Sequence, residues 1–215
     1  SLQSLVTHNF VNSTAVSAIY NVTLIASTQY GCDDTSSTQV EVYPPVSADV
    51  QMDSIGCSPF YVQFNNNSMG ASNYLWDLGN GIISTNPSPD ETYMNTGSTP
   101  ITIPILLTST SPYGCTDTYN SSVIVYPQPV ASFIATPPIQ AFPSTIVGIT
   151  NTTSGPWSYN WDFGNGTTST NVNPNSIDYL NIGDYTITLV ISNPYCADTV
   201  QQLIQILPPP PIADF

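Results

Sequence analysis

Short runs of alternating apolar and polar residues set the pattern of this chain. "YNVTLIAS" (20–27) and "YTITLVIS" (185–192) put Val, Leu and Ile at alternate positions. Their β-branched content favours strands over helices. "TQVEVY" (38–43), "SSVIVY" (121–126) and "QLIQIL" (202–207) are further short strands, each ending at a proline. "FYVQF" (60–64) and "STIVGIT" (144–150) read as earlier strands. Clusters of Gly, Asn and Pro separate these runs, and no stretch sustains a 3.6-residue period. The expected fold class is all-β, with about seven short strands per sandwich of immunoglobulin-like type.

The pattern recurs along the chain. "YGCDDT" begins at Tyr30 and "YGCTDT" at Tyr113, 83 residues later; Cys196 in "YCADT" lies 81 beyond Cys115. "YLWDLGNG" (74–81) returns as "YNWDFGNG" (159–166). "EVYPPVSADV" (41–50), "IVYPQPVASFI" (124–134) and "QILPPPPIADF" (205–215) mark equivalent junctions. The expected organisation is the C-terminal part of one repeat in 1–44, complete repeats in 45–128 and 129–210, and the start of another in 211–215. This period is longer than a solenoid repeat, so each complete repeat needs its own core. The junctions are short and rich in proline, which makes stiff linkers.

Composition narrows the functions. The 215 residues hold no Lys or Arg, 14 Asp plus Glu and one His, for a formal charge of −14. Nucleic-acid binding, which rests on basic residues at phosphates, is excluded as an expectation, and so is attraction to anionic lipid. No run reaches the ~20 apolar residues of a membrane helix, so direct membrane insertion is not expected. Residues 1–10 lack the basic start and apolar core of a signal peptide, and the chain reads as a segment of a longer secreted protein.

The Trp-Asp-x-Gly-Asn-Gly strings carry a resemblance. Trp161, Asp162, Gly164, Gly166, Pro174, Tyr179, Gly183, Tyr185 and Leu189 match the pattern of the polycystic-kidney-disease (PKD) domain. Trp76, Asp77, Gly79, Gly81, Tyr93 and Gly97 match it in the preceding repeat. Asn80 and Asn165 stand where that family often has Asp. The Gly-Cys-x-Asp-Thr ending resembles a variant found in large secreted surface proteins of Bacteroidetes, including adhesion and gliding proteins exported by the type IX system. The resemblance implies an extracellular sandwich that serves as a spacer or a binding module. Physical chemistry agrees for the turn itself: Asn-Gly favours a tight hairpin, and the Asp side chain can accept backbone N–H groups.

Each candidate site has a structural alternative. Asp77 and Asn80, with Asp162 and Asn165, offer oxygens for calcium, which some members of the family bind; Asp90 and Glu91, or Asp178, are further possible ligands. The alternative is an Asx-type turn. Four cysteines (32, 57, 115, 196) allow three pairings. Cys57–Cys115 is the expected disulfide, because it ties one repeat to itself. The repeat shift sends the partner of Cys32 before residue 1. Ala141 replaces the Cys57 equivalent in the last repeat, so Cys196 is expected to be a buried thiol, with a bond to a neighbouring chain as the sharper reading. Asn-x-Ser/Thr occurs at Asn12, Asn21, Asn66, Asn120, Asn151 and Asn165, and is common by chance in so Asn-rich a chain. One His and recurring rather than unique carboxylates leave no catalytic set, so no enzyme is expected.

The functional expectation is a structural repeat segment of a long extracellular surface protein, forming a rod, stalk or filament for adhesion or gliding. Its partners are then neighbouring repeats of the same protein and other copies in a filament. The alternative is a carbohydrate- or protein-binding module, in which Trp157 stacks on surface glycans, or the accessory region of a secreted hydrolase.

Overall fold

A computed structural model describes residues 5–211, and among them every regular element is a strand. The first sequence repeat contributes β1 (Ala18–Ser27) and β2 (Asp33–Val42). They form an antiparallel hairpin whose ladder runs from Ala18 opposite Val42 to Ser27 opposite Asp33. The second contributes β3 (Val50–Gln51), β4 (Ile55–Cys57), β5 (Phe60–Gln63), β6 (Asn65–Asn66), β7 (Asn73–Asp77), β8 (Ile83–Ser84), β9 (Asp90–Tyr93), β10 (Ile101–Thr110) and β11 (Thr116–Tyr126). The third contributes β12 (Phe133–Thr136), β13 (Ile139–Ala141), β14 (Ile146–Asn151), β15 (Ser158–Asp162), β16 (Thr168–Ser169), β17 (Ile177–Asp178), β18 (Gly183–Ser192) and β19 (Ala197–Leu207).

One strand order appears twice. The sheet β4-β11-β10-β7-β8 recurs as β13-β19-β18-β15-β16. In both, the first strand runs parallel to the long closing strand, β4 to β11 and β13 to β19. The pairings of β7 and of β15 with their neighbours are antiparallel. A second sheet, β12-β14-β17, completes the last sandwich. The fold is all-β and immunoglobulin-like. The expected start of a further repeat falls largely on residues 212–215, outside the described residues.

The chain divides into two compact units. The first holds Ser1–Asp53, Val62–Glu91 and Ile103–Ser122; the second holds Ser54–Tyr61, Thr92–Thr102 and Val123–Phe215. In the first, Val62, Phe64, Trp76, Leu78, Ile105 and Leu107 are buried, and Phe64 meets the Trp76 ring at 5.4 Å between centroids. In the second, alternation selects Ile187, Leu189 and Ile191 of β18 and Ile204 and Ile206 of β19. They pack with Phe133, Val147, Trp161, Phe163 and Tyr179. Each such side chain contributes about 1.5–3 kcal/mol on burial. Phe133 stands edge-on to Trp161 at 5.2 Å.

Candidate functional site

The Asp-x-Gly-Asn-Gly strings form the β7–β8 and β15–β16 turns. Asp77 Oδ1 accepts the Gly79 N–H at 2.9 Å, and Asn80 Oδ1 accepts that of Ile82 at 3.2 Å. Asp162 and Asn165 repeat the pattern toward Gly164 (2.9 Å) and Thr167 (3.0 Å), and Asn165 Oδ1 also accepts the Thr167 hydroxyl at 2.6 Å. The hairpin geometry differs from one with positive φ at both Asn and Gly. Gly79, Gly81, Gly164 and Gly166 take φ of 73°, 87°, 73° and 85°, while Asn80 and Asn165 do not enter the left-handed region. The first glycine of each turn also passes close to the neighbouring long strand. A Cβ on Gly164 would lie 2.7 Å from the Thr186 carbonyl oxygen.

These four residues therefore use side-chain oxygen on the turn's own backbone. Among the described residues, no group of three or more His, Cys, Asp or Glu is placed to hold a metal ion. Asp178 accepts a hydrogen bond from the Thr145 hydroxyl. Tyr179 is fully buried, and its hydroxyl donates to the Phe163 carbonyl at 2.8 Å. Burial first, then the neighbouring Tyr185 and Asp162, push its pKa up to about 12. The Trp161 indole N–H donates to the Asn171 carbonyl at 3.0 Å.

The cysteines depart from expectation. Cys57 is bonded to Cys196, and Cys115 is free and exposed. The expected Cys57–Cys115 bond fails on distance along one strand. Cys57 lies opposite Tyr126, the last residue of β11, whereas Cys115 immediately precedes Thr116, its first. The eleven residues of β11 span roughly 35 Å when extended. Cys196, expected as a lone buried thiol, is buried but joins the third sequence repeat to the second. Cys57 and Cys196 both belong to the second compact unit.

More contacts surround this bond. The rings of Tyr126 and Tyr195 meet at 4.5 Å. The Asn193 side chain donates to the Pro127 carbonyl at 3.0 Å, and its Oδ1 accepts the N–H groups of Tyr195 and Cys196. In the first compact unit, Tyr43 stacks on Tyr113 at 4.2 Å and 7°. Tyr43 and Tyr126 stand 83 residues apart, and Tyr113 and Tyr195 sit in equivalent turns. The Asp of the second and third Cys-x-Asp-Thr strings is a clamp: Asp117 accepts the Ala48 N–H at 2.8 Å, and Asp198 that of Ala131 at 2.7 Å. Sequence reasoning missed both devices, although the repeat shift relating the tyrosines was there to be read.

Two open clefts occupy equivalent places. In the first unit, Ser13–Ala15, Pro44, Pro45, Ser47, Met69 and Gly70 line about 250 Å³. In the second, Thr96–Ser98, Gln128, Val130 and residues 154–157 line about 490 Å³. Trp157 is half-buried there and packs against the core. Its indole N–H donates to the Ser154 carbonyl at 2.7 Å. Gly155, at φ 121°, leaves no room for a Cβ beside that ring. Four of the Asn-x-Ser/Thr sites are Asx turns: Asn12, Asn66, Asn151 and Asn165 each accept the N–H of the Ser or Thr two residues on.

Residues 127–206 match the PKD domain family. No curated protein matches the chain. Among solved structures, the chain is similar to the PKD1 domain of the Vibrio cholerae metalloprotease PrtV, with 27% identity over 38% of this chain and 98% of that one and a TM-score of 0.33. The PKD1 domain of Vibrio anguillarum Epp is similar at 24% identity, over 38% and 94%, with a TM-score of 0.32. Murine CEACAM1b is similar at 13% identity, over 75% and 100%, with a TM-score of 0.41. The family match covers the third sequence repeat, whose immunoglobulin-like sandwich is of PKD type. A disulfide fits an extracellular protein. Among the described residues no helix is long and apolar enough to cross a membrane.

Proposed function

We propose that this chain is a load-bearing spacer of a long extracellular surface protein, built as a rod, stalk or filament for adhesion or gliding. The observation that carries this reading is the Cys57–Cys196 bond, which covalently fixes one sequence repeat to the next. The paired tyrosines support it, because the same aromatic contact recurs at Tyr43–Tyr113. A binding module needs one distinctive surface. A spacer needs its junctions to hold, and here a disulfide, a tyrosine pair and the Asn193–Pro127 hydrogen bond meet at one. The partners are neighbouring repeats and other copies of the protein; the type IX export route rests on the Cys-x-Asp-Thr resemblance alone.

The test is solution scattering on chains carrying increasing numbers of repeats. A maximum dimension that grows by a constant increment per repeat supports a spacer. A dimension that levels off, as repeats fold back on one another, removes the reading. A second reading, glycan binding, is favoured only by the cleft beside Trp157. A glycan array whose hits disappear in Trp157→Ala would establish it.

A further inference from the structure

The closing strand of a sandwich accepts an extended segment on its outer edge, and the same hydrogen bonds do it twice. Ile124 N–H donates to the Ser54 carbonyl at 2.8 Å, and Ser58 N–H donates to the Tyr126 carbonyl at 2.8 Å, which fixes β4 beside β11. Gln205 N–H donates to the Pro138 carbonyl at 2.8 Å, and Phe142 N–H donates to the Leu207 carbonyl at 2.9 Å, which fixes β13 beside β19. Glu41 and Tyr43, at the end of β2, stand 83 residues before Ile124 and Tyr126. Their surroundings match as well. Asn12 Nδ2 donates to the Val42 and Val16 carbonyls at 2.8 and 2.7 Å, as Asn95 Nδ2 donates to those of Val125 and Thr99 at 2.8 and 2.9 Å. Yet the sheet containing β2 has only β1 as a second strand, so among the described residues the other edge of β2 is uncovered.

The cysteine completes the correspondence. Where β4 is seated, Cys57 lies opposite Tyr126 and is bonded to Cys196, in the turn that presents Tyr195. At the open edge, Tyr43 already stacks on Tyr113, and Cys115 follows in the same turn, free and exposed. The two turns hold their cysteines alike. Ser111 N–H donates to the Cys115 carbonyl and Asn193 N–H to that of Cys196. The Ser111 hydroxyl and the Asn193 side-chain Oδ1 accept the respective cysteine N–H groups. Cys32 is also free, but its neighbour Tyr30 stands exposed at 86%, with no ring stacked on it.

We propose that the open edge of β2 receives an extended cysteine-bearing strand with the pattern of residues 54–58, Ser-Ile-Gly-Cys-Ser, and that its cysteine bonds to Cys115. The strand is donated by a further repeat of the same type. Strand addition supplies main-chain hydrogen bonds, and the stacked tyrosines fix the turn that presents the thiol. Two thiols lose two protons and two electrons to form the bond. An oxidant of the disulfide class takes up both and becomes two thiols. This extends the spacer reading, and its test reads a bond rather than a length, so either can fail alone.

The experiment treats the whole chain with a peptide of residues 54–61 whose cysteine is activated as a 2-thiopyridyl disulfide. The Cys115 thiolate attacks the peptide sulfur and expels 2-thiopyridone, which is followed by absorbance; mass spectrometry locates the adduct. The expected result is adduct at Cys115 about tenfold faster than at Cys32, a preference worth about 1.4 kcal/mol. The preference should vanish with a peptide carrying proline in place of Gly56, because proline cannot donate to the ladder. It should also vanish in the Tyr43→Ala chain. Equal rates at the two cysteines, or a rate unchanged by the proline, would overturn the proposal. So would Cys115-linked dimers forming faster than the peptide adduct, which would assign the edge to a second copy.

Discussion

Asp198 accepts the backbone N–H of Ala131 at 2.7 Å, and so ties the start of the last sandwich to its closing strand. Ala131 is only 9% exposed, so this N–H is left poorly paired once the carboxylate is gone. Asp198→Ala is expected to lower stability by about 1–3 kcal/mol, the cost of an unpaired buried donor. Asp198→Asn keeps an oxygen in place and should lose less than half as much. Urea unfolding of both variants checks this; equal losses would show that the carboxylate charge, and not the accepted hydrogen bond, is what matters.

Tyr179 gives the molecule an alkaline signature. Its folded pKa of about 12 lies above the ordinary value of 10.0. Below pH about 10 the phenol keeps its proton in both folded and unfolded chains, and its contribution to stability is constant. Between about 10 and 12 the unfolded phenol ionises while the folded one resists, so stability falls as pH rises. The slope approaches about 1.4 kcal/mol per pH unit. Phenolate absorbance should show a titration step near pH 12, and Tyr179→Phe should remove one tyrosine from it.

The paired glycines of each turn are not equivalent. Both Gly164 and Gly166 adopt positive φ, but a Cβ on Gly166 meets nothing within 4 Å. Gly166→Ala should cost about 1–2 kcal/mol, the strain of a left-handed alanine. Gly164→Ala adds a collision with the backbone of Thr186 and should cost clearly more. Thermal unfolding ranks the two, and the reverse order would contradict the close approach of turn and strand.

Calcium addresses the same turns. Asp77, Asn80, Asp162 and Asn165 each already accept a backbone N–H. Binding with calcium at tenfold its Kd would stabilise the fold by about 1.4 kcal/mol, a shift of several degrees in the midpoint. The expected result is no shift between calcium and excess chelator. A clear rise with calcium would reassign these oxygens as ligands.

The strands were legible because half-buried strands print their period on the sequence. "YTITLVIS" alternates, and Ile187, Leu189 and Ile191 are the buried set. Trp76 and Trp161, which the repeated string puts in equivalent places, are the fully buried centres. The disulfide was not legible, because cysteine pairing depends on the short β4 being seated beside the turn that holds Cys196, and spacing within one repeat carries no such information. The turn glycines were readable as turn formers, but the close passage of Gly79 and Gly164 against the neighbouring long strands was not, because it depends on how turn and strand meet in space. The junction clamps were hidden for another reason: an Asp that accepts one backbone N–H leaves no pattern in its own neighbourhood.

The Cys57–Cys196 bond closes a loop of 139 residues. Under tension applied at the two ends of the chain, the pull crosses this loop through sulfur and leaves most of the enclosed strands unloaded. Fully extended, that loop would add roughly 450–500 Å of slack. An oxidised chain keeps that slack locked away, and a reductant releases it, so the redox state of the surroundings sets how far the molecule can stretch before it must break.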